Sequence, residues 1–208
     1  MKPHTPKAKP KSGKPPATTN SKLRIIGGEW RSRQVPIPHI EGLRPTPDRV
    51  RETLFNWLAM QLPGAHCADL FCGSGALGLE ALSRGAASCL FADNSRVVTQ
   101  QMSLNLATLG CHNAQVIQKN TAELLATAPA KPLDILFLDP PFRKGWLATL
   151  LPLLENGWLA PRSWVYIEME KEAPLPPLPR HWHLHKEKTA GQLCYRLFAI
   201  DKSQTLTD

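Results

Sequence analysis

Hydrophobic patterning is absent until Leu23: residues 1–22 are dominated by Lys, Pro, Ser and Thr and predict a disordered tail. Leu23-Arg-Ile-Ile, the pair Gly27-Gly28 and the segment from Trp30 to Val35 then predict a short β-hairpin. Thr46-Pro47-Asp48 reads as a helix start, with Thr as N-cap, Pro in the first helical position and an acid in the first turn. Val50, Leu54, Trp57 and Leu58 follow at i, i+4, i+7 and i+8, one apolar stripe that ends before Pro63-Gly64.

From Cys67 the pattern changes to short apolar runs alternating with amphipathic stretches. Strands are predicted at Cys67–Cys72, Cys89–Asp93, Ala114–Gln118, Ile135–Asp139 and Trp164–Met169, each of the first four followed by a helix. Short apolar strands between helices predict a parallel sheet covered on both faces. Two further strands, His183–Lys188 and Leu193–Ile200, flank Ala190-Gly191 after a proline-rich stretch, so a C-terminal antiparallel hairpin should close a seven-stranded α/β sheet.

The composition adds limits. With 208 residues, 42% hydrophobic and 20% charged, the chain can build a normal core. No apolar run approaches the ~18 residues that cross a bilayer, and the N-terminus lacks the apolar core of a secretory signal. Five cysteines (67, 72, 89, 111 and 194), without any C-x-x-C, fit reduced thiols better than disulfides or zinc. A soluble cytoplasmic protein is expected. The net charge of +8 is unevenly placed: residues 1–22 hold six lysines and no acid, residues 23–51 hold six arginines against three acids, and the remainder carries 13 basic and 14 acidic side chains. A basic front end on a near-neutral body suggests contact with a polyanion, and arginine suits phosphate better than lysine does.

Candidate chemistry gathers at two strand ends. Asp69-Leu-Phe-Cys-Gly73-Ser-Gly75-Ala-Leu-Gly78 is a glycine loop opening a helix, and Asp93 lies twenty residues beyond Gly73, where a carboxylate can accept from ribose hydroxyls. Gly73, Gly75 and Gly78 also satisfy G-x-G-x-x-G, so NAD stays open. Asp69 favours a cationic or amine-bearing ligand over a pyrophosphate, hence S-adenosylmethionine. The second strand end is Asp139-Pro140-Pro141-Phe142, where two prolines remove N–H donors and leave carbonyls and a carboxylate as acceptors beside an aromatic plate. That combination suits a planar ring bearing an exocyclic amine, with the hydrogens held and the lone pair aimed at a methyl group.

With these motifs the chain resembles the class I S-adenosylmethionine-dependent methyltransferases. Within them it is similar to the RsmD family, bacterial small-subunit rRNA guanine-N2 methyltransferases. Arg24-Ile-Ile-Gly-Gly, Leu43-Arg-Pro-Thr through Trp57, Gly73 through Leu82, Asp139-Pro-Pro-Phe142 and Gly191-Gln-x-x-Tyr-Arg carry the likeness, which covers residues 23 to 200. Cys72 stands where alanine is expected. The resemblance implies a Rossmann-like fold with a hairpin arm for RNA (23–45) and a methyltransferase domain (46–208), while the disordered basic tail (1–22), read from composition, stands outside the likeness. It implies that Asp69, Phe71, Gly73 and Gly75 hold the methionine end of the cofactor, Asp93 its ribose, and Asn120 and Thr121 the adenine, with Thr46 at the entrance. Asp139, Pro140 and Phe142 would be catalytic. Arg24, Arg31, Arg33, Arg49, Arg143 and Lys144 would meet the RNA. Guanine 966 of 16S rRNA is the implied base, in a protein-loaded small-subunit particle, with the enzyme a monomer and neither membrane nor metal involved.

Other readings stay open on the sequence. An NAD-linked oxidoreductase would use the same loop but lacks an evident catalytic His or Tyr/Lys arrangement. A non-catalytic RNA-binding assembly factor would retain the fold, and DNA amines or protein glutamine are alternative methyl acceptors. His181, His183 and His185 alternate along one strand face without a carboxylate or cysteine to complete a metal site. Glu168, Glu170 and Glu172 are expected on a solvated face or strand end, and Trp57, Trp146, Trp158 and Trp164 in the core.

Overall fold

The computed structural model describes residues 21–40 and 42–203. The tail expected at 1–22 therefore lies outside the described residues except for its last two, and Lys22 already opens a strand. That strand, β1 (Lys22–Arg24), pairs antiparallel with β2 (Gln34–Pro36), placing Leu23 opposite Val35. The hairpin is present but its ladder is shorter than Trp30–Val35 suggested. Residues 25–33 instead form turns, closed by Ile25 N–H to the Arg33 carbonyl at 2.9 Å and Ser32 N–H to the Ile25 carbonyl at 2.8 Å.

Helix α1 (Asp48–Trp57) buries Val50 and Leu54 as the stripe predicted, and Leu58 just beyond it, while Trp57 stacks on Tyr195 with centroids 5.5 Å apart. Its N-cap is Pro47 rather than Thr46. The Thr46 hydroxyl donates instead to Glu168 at 3.1 Å.

The main sheet follows the alternation: β3 (His66–Asp69), α2 (Ala76–Ser83), β4 (Ser88–Asp93), α3 (Arg96–Leu109), β5 (Ala114–Gln118), α4 (Thr121–Leu125), β6 (Leu133–Leu138), α5 (Trp146–Leu154) and β7 (Leu159–Glu170). The last two strands are β8 (Trp182–Ala190) and β9 (Leu193–Asp201). The order is β5-β4-β3-β6-β7-β9-β8, parallel through β7, with β9 antiparallel to both neighbours. Ser95 caps α3 by accepting from Val98 N–H, and Gly110 ends it at φ 73°. Strand β7 starts earlier than expected because Leu159 already pairs with Leu133 before an irregularity shifts Trp164 opposite Ile135.

One apolar layer packs α1, α2 and α3 on the sheet and the other packs α4 and α5 on its opposite face. All eight residues of α2 are buried, because the β1–β2 hairpin covers its outer side. The Glu80 carboxylate, 0% exposed, accepts from Ile26 N–H (2.9 Å), Gly27 N–H (2.8 Å), Arg84 (2.7 Å) and Arg51 (3.4 Å). Gly28, at φ 76°, has no room for a side chain: a Cβ there would lie 1.8 Å from the Ser83 carbonyl oxygen. The arm is thus docked on the body. Because successive strands are added first on one side of β3 and then on the other, the strand order reverses there, and a crevice opens at the carboxyl ends of β3, β4, β6 and β7.

Candidate functional site

The crevice is a cavity of about 700 Å³. Its floor is the loop after β3, pinned by Leu70 N–H to the Phe137 carbonyl (3.2 Å) and Cys72 N–H to the Ala92 carbonyl (3.0 Å). Gly73 and Gly75 take positive φ (48° and 77°), and a Cβ on either would strike Leu43 at 2.8 Å or Met102 at 2.2 Å. These two glycines are required by conformation and by packing at once.

Asp69 is buried, and its Oδ2 accepts from Gly78 N–H at 3.0 Å, inside the first turn of α2. A carboxylate therefore already occupies a helix N-terminal amide that a phosphate would otherwise use. Asp93, at the end of β4, accepts from Gly73 N–H (3.2 Å) and Ser95 N–H (2.9 Å) and faces the same space. Asn120 accepts from Ala122 N–H at 2.9 Å as the cap of α4, and Thr121 donates to the Leu70 carbonyl at 2.8 Å. Both line the cavity, but the Thr121 hydroxyl is engaged in fastening the floor.

The opposite wall is Asp139-Pro140-Pro141-Phe142, immediately after β6. No hydrogen bond reaches the Asp139 side chain among the described residues. Phe142 is 41% exposed at the edge of the cavity. Phe71 tilts against Trp146 at 6.0 Å, and both rings line the cavity. Trp146, expected in the core, is thus a wall of the site, because the left-handed turn at Gly145 presents the first residue of α5 to the crevice.

Besides Trp146, sequence reasoning missed two charged cavity residues, Glu168 and Arg44. Glu168 was expected on a solvated face or strand end. It is 3% exposed, accepts at Oε1 from Thr46 (3.1 Å) and Tyr166 (2.9 Å), and lines the cavity. Pairing of Leu138 with Ile167 puts Asp139, the residue just past β6, beside Glu168 of β7. Alternation alone misplaced it, since β7 is a central strand buried on both faces. The other is Arg44, on a strap (Gly42 to Pro47) that crosses the cavity and contributes Thr46. The signal for Arg44 was its place inside Leu43-Arg-Pro-Thr.

Four carboxylates (Asp69, Asp93, Asp139 and Glu168) and one arginine are the charged lining. Burial pushes Asp69 up to about 7, beyond what the Gly78 hydrogen bond restores, with the Asp139 and Asp93 charges adding to the rise. Burial likewise raises Asp139 to about 7. Glu168 is held well above the ordinary carboxyl range by burial and the neighbouring Asp139. Carboxyls that resist ionising in an empty cavity ionise readily beside a cation. The donor set therefore fits a ligand carrying a sulfonium and an ammonium, and it opposes a pyrophosphate.

The basic residues divide. Arg143 and Lys144 are exposed directly beyond Phe142, with Arg143 at φ 60° and its N–H donating to the Glu170 carboxylate. Arg49 is exposed two residues after cavity-lining Pro47, and Arg31 is exposed on the hairpin loop. Arg24 pairs with Asp48 at 3.3 Å. Arg33 donates to the Thr108 (2.7 Å) and Leu109 (3.3 Å) carbonyls at the end of α3, so its guanidinium serves the fold.

The family model described as Conserved hypothetical protein 95 matches residues 23–199. The chain belongs to this family. It is 53% identical over 186 residues to the ribosomal RNA small subunit methyltransferase D of Escherichia coli (strain K12), covering 89% of this chain and 93% of that one. The Haemophilus influenzae protein of the same name is 46% identical over 187 residues, covering 87% and 96%. The solved structure of yhhF from Escherichia coli superposes with a TM-score of 0.81 at 52% identity, covering 88% of this chain and 99% of that one. The family relation agrees with the RsmD resemblance carried by the sequence, and the mostly parallel Rossmann-like sheet with its terminal hairpin is the fold expected of it. Among the described residues no helix is long and apolar enough to cross a membrane.

Proposed function

We propose that this protein transfers a methyl group from S-adenosylmethionine to the exocyclic N2 amine of a guanine, guanine 966, in 16S rRNA. The observation that carries the reading is the acid-rich cavity in which the Asp139-Pro140-Pro141-Phe142 corner faces the Asp69–Gly75 loop. Names of the relatives supply the RNA class. Bound there, S-adenosylmethionine provides an electrophilic methyl on a positive sulfur.

Asp69, Phe71, Gly73 and Gly75 hold the methionine end, Asp93 accepts from the ribose hydroxyls, and Asn120 and Thr121 border the adenine. Phe142 stacks on the flipped base. The Pro140 carbonyl and Asp139 accept the two amine hydrogens, which aims the nitrogen lone pair at the methyl group. Asp139, raised to about 7, disperses the proton released on transfer. Arg143 and Lys144, with Arg24, Arg31 and Arg49, contact RNA phosphates. Arg33 supports this RNA surface by fastening the arm to the end of α3, where its guanidinium is already bonded. The protein acts as a cytoplasmic monomer on a protein-loaded small-subunit particle, with residues 23–45 as the arm and 46–208 as the catalytic domain, and no metal is used.

Incubation with methyl-labelled S-adenosylmethionine and separate rRNA-particle, DNA and protein fractions tests this. Label is expected in rRNA, and Asp139→Ala should lower transfer by roughly 10³-fold at saturating cofactor, which the variant still binds. Label in protein or DNA alone, or undiminished turnover by Asp139→Ala, contradicts the reading.

A further inference from the structure

The proposed reaction needs acceptors for an amine, but it does not explain why a second carboxylate, Glu168, stands beside Asp139 inside the cavity. Glu168 is 3% exposed, yet only one of its oxygens is occupied. Oε1 accepts from both Thr46 and Tyr166. Oε2 takes part in no hydrogen bond among the described residues, and the side chain lines the cavity. Oε2 is open to the cavity, and a ligand that covers it without bringing a donor would strand a carboxylate oxygen at a cost.

The two hydroxyls also fix which oxygen is free. Tyr166 donates from the same strand, two residues away, and Thr46 from the strap, so the carboxyl plane is held from two directions. Strand register then sets Glu168 next to Asp139, at the usual spacing of neighbouring strands, about 4.8 Å. One side chain on β7 and one just past β6 thus offer acceptors side by side.

We infer that Glu168 is the residue that selects guanine, its free Oε2 accepting from the ring N1–H while Asp139 and the Pro140 carbonyl hold the N2 amine. The inference rests on the function proposed above and adds to it a reason for the base. Guanine is distinguished by a ring N–H donor adjacent to its exocyclic amine. Adenine and cytosine also bear an amine, but the ring nitrogen beside it is a lone pair. Against Glu168 that lone pair would meet another, unpaired and desolvated. Sites that hydrogen-bond a group in this way reject the analogue lacking it far more strongly than apolar pockets do. A positive donor in the same cavity favours the ionised state of both carboxyls, leaving Oε2 as an acceptor. The two hydroxyls on Oε1 make the arrangement rigid, and one of them ties base selection to the strap that crosses the site.

The test uses small-subunit particles assembled with rRNA carrying either guanine or 2-aminopurine at the methylated position. 2-Aminopurine keeps the N2 amine but lacks the N1 hydrogen. The full-length wild-type protein should prefer guanine by on the order of 100-fold in kcat/KM. Glu168→Gln keeps an acceptor for Thr46 and Tyr166 but turns the free oxygen into a donor, so the ratio should fall to a few-fold or invert at saturating S-adenosylmethionine. A wild-type ratio near one, or a ratio left intact in Glu168→Gln whatever its rate, overturns the inference. If Glu168→Gln does not fold, Glu168→Asp withdraws the acceptor by one methylene and should lower the ratio roughly tenfold; an unchanged ratio is equally fatal. Robust methylation of guanine with no discrimination sinks this inference alone, whereas absence of transfer to guanine by the wild type sinks the proposed function and this inference with it.

Discussion

Glu80 and Glu168 are both glutamates removed from solvent, at 0% and 3% exposure, in opposite surroundings. Glu80 is met by two guanidinium groups and two backbone N–H groups, and its partners join the hairpin, α1 and α2. Glu168 is met by two neutral hydroxyls on one oxygen, beside another carboxyl, with no cation in the described structure bonded to it. The first is an architectural charge whose compensation is complete within the chain. The second belongs to a cluster, with Asp69 and Asp139, whose compensation must come from outside. The difference teaches where to look for a ligand: not wherever acids are buried, but where they are buried without cations.

The contrast breaks most severely at Glu80. Glu80→Ala leaves Arg51, 1% exposed, without its buried partner and strands two N–H groups. A loss of about 3–5 kcal/mol in chemical denaturation is expected. Asp139→Asn should do the reverse at pH 8, where the wild-type carboxyl must ionise in a buried setting, gaining roughly 1–2 kcal/mol in the ligand-free protein while abolishing transfer. The sign follows from linkage. Asp139 titrates near 7 when folded and near the ordinary aspartate value when unfolded, so the folded state holds the extra proton between these limits. Ligand-free stability therefore falls as pH rises through that window and levels off above it. If Glu80→Ala and Asp139→Asn shift stability in the same direction, the two clusters are not different in kind.

A smaller effect sharpens the division among the arginines. Arg143→Ala with Lys144→Ala should weaken RNA binding and reduce the slope of log affinity against log salt by about 1–2, leaving cofactor affinity unchanged. Arg33→Ala, which removes donors to the end of α3, should lower stability and leave that slope alone.

The elements themselves were readable because most local signals agree with the fold. Ala114–Gln118 was placed as observed, and Cys89–Asp93 differs from its strand by one residue at the start. The hairpin's docking was not readable, since nothing local announces that Glu80 will accept from Ile26 and Gly27 across more than fifty residues. Thr46 shows a local signal losing to a tertiary one: its cap pattern was sound, but a hydrogen bond to buried Glu168 took the hydroxyl. Glu168 and Trp146 were misplaced for a related reason. Alternation assigns a face to a residue only when one face is solvated, and β7 is central, while Trp146 depends on a turn at Gly145 that periodicity does not describe. The Asp69 and Asp139 corners were found because motif spacing, unlike burial, survives in one dimension.

The account depends on the cavity's acids being reserved for a cationic donor, and calorimetry reads that directly. Titration of the protein with S-adenosylmethionine at pH 7 in buffers of different ionisation enthalpy gives the number of protons exchanged on binding. With Asp69 and Asp139 titrating near 7, binding should release between about half a proton and one proton. S-adenosylhomocysteine, which lacks the sulfonium charge, should release fewer. Binding of S-adenosylmethionine with no proton release, or with uptake, would contradict the account.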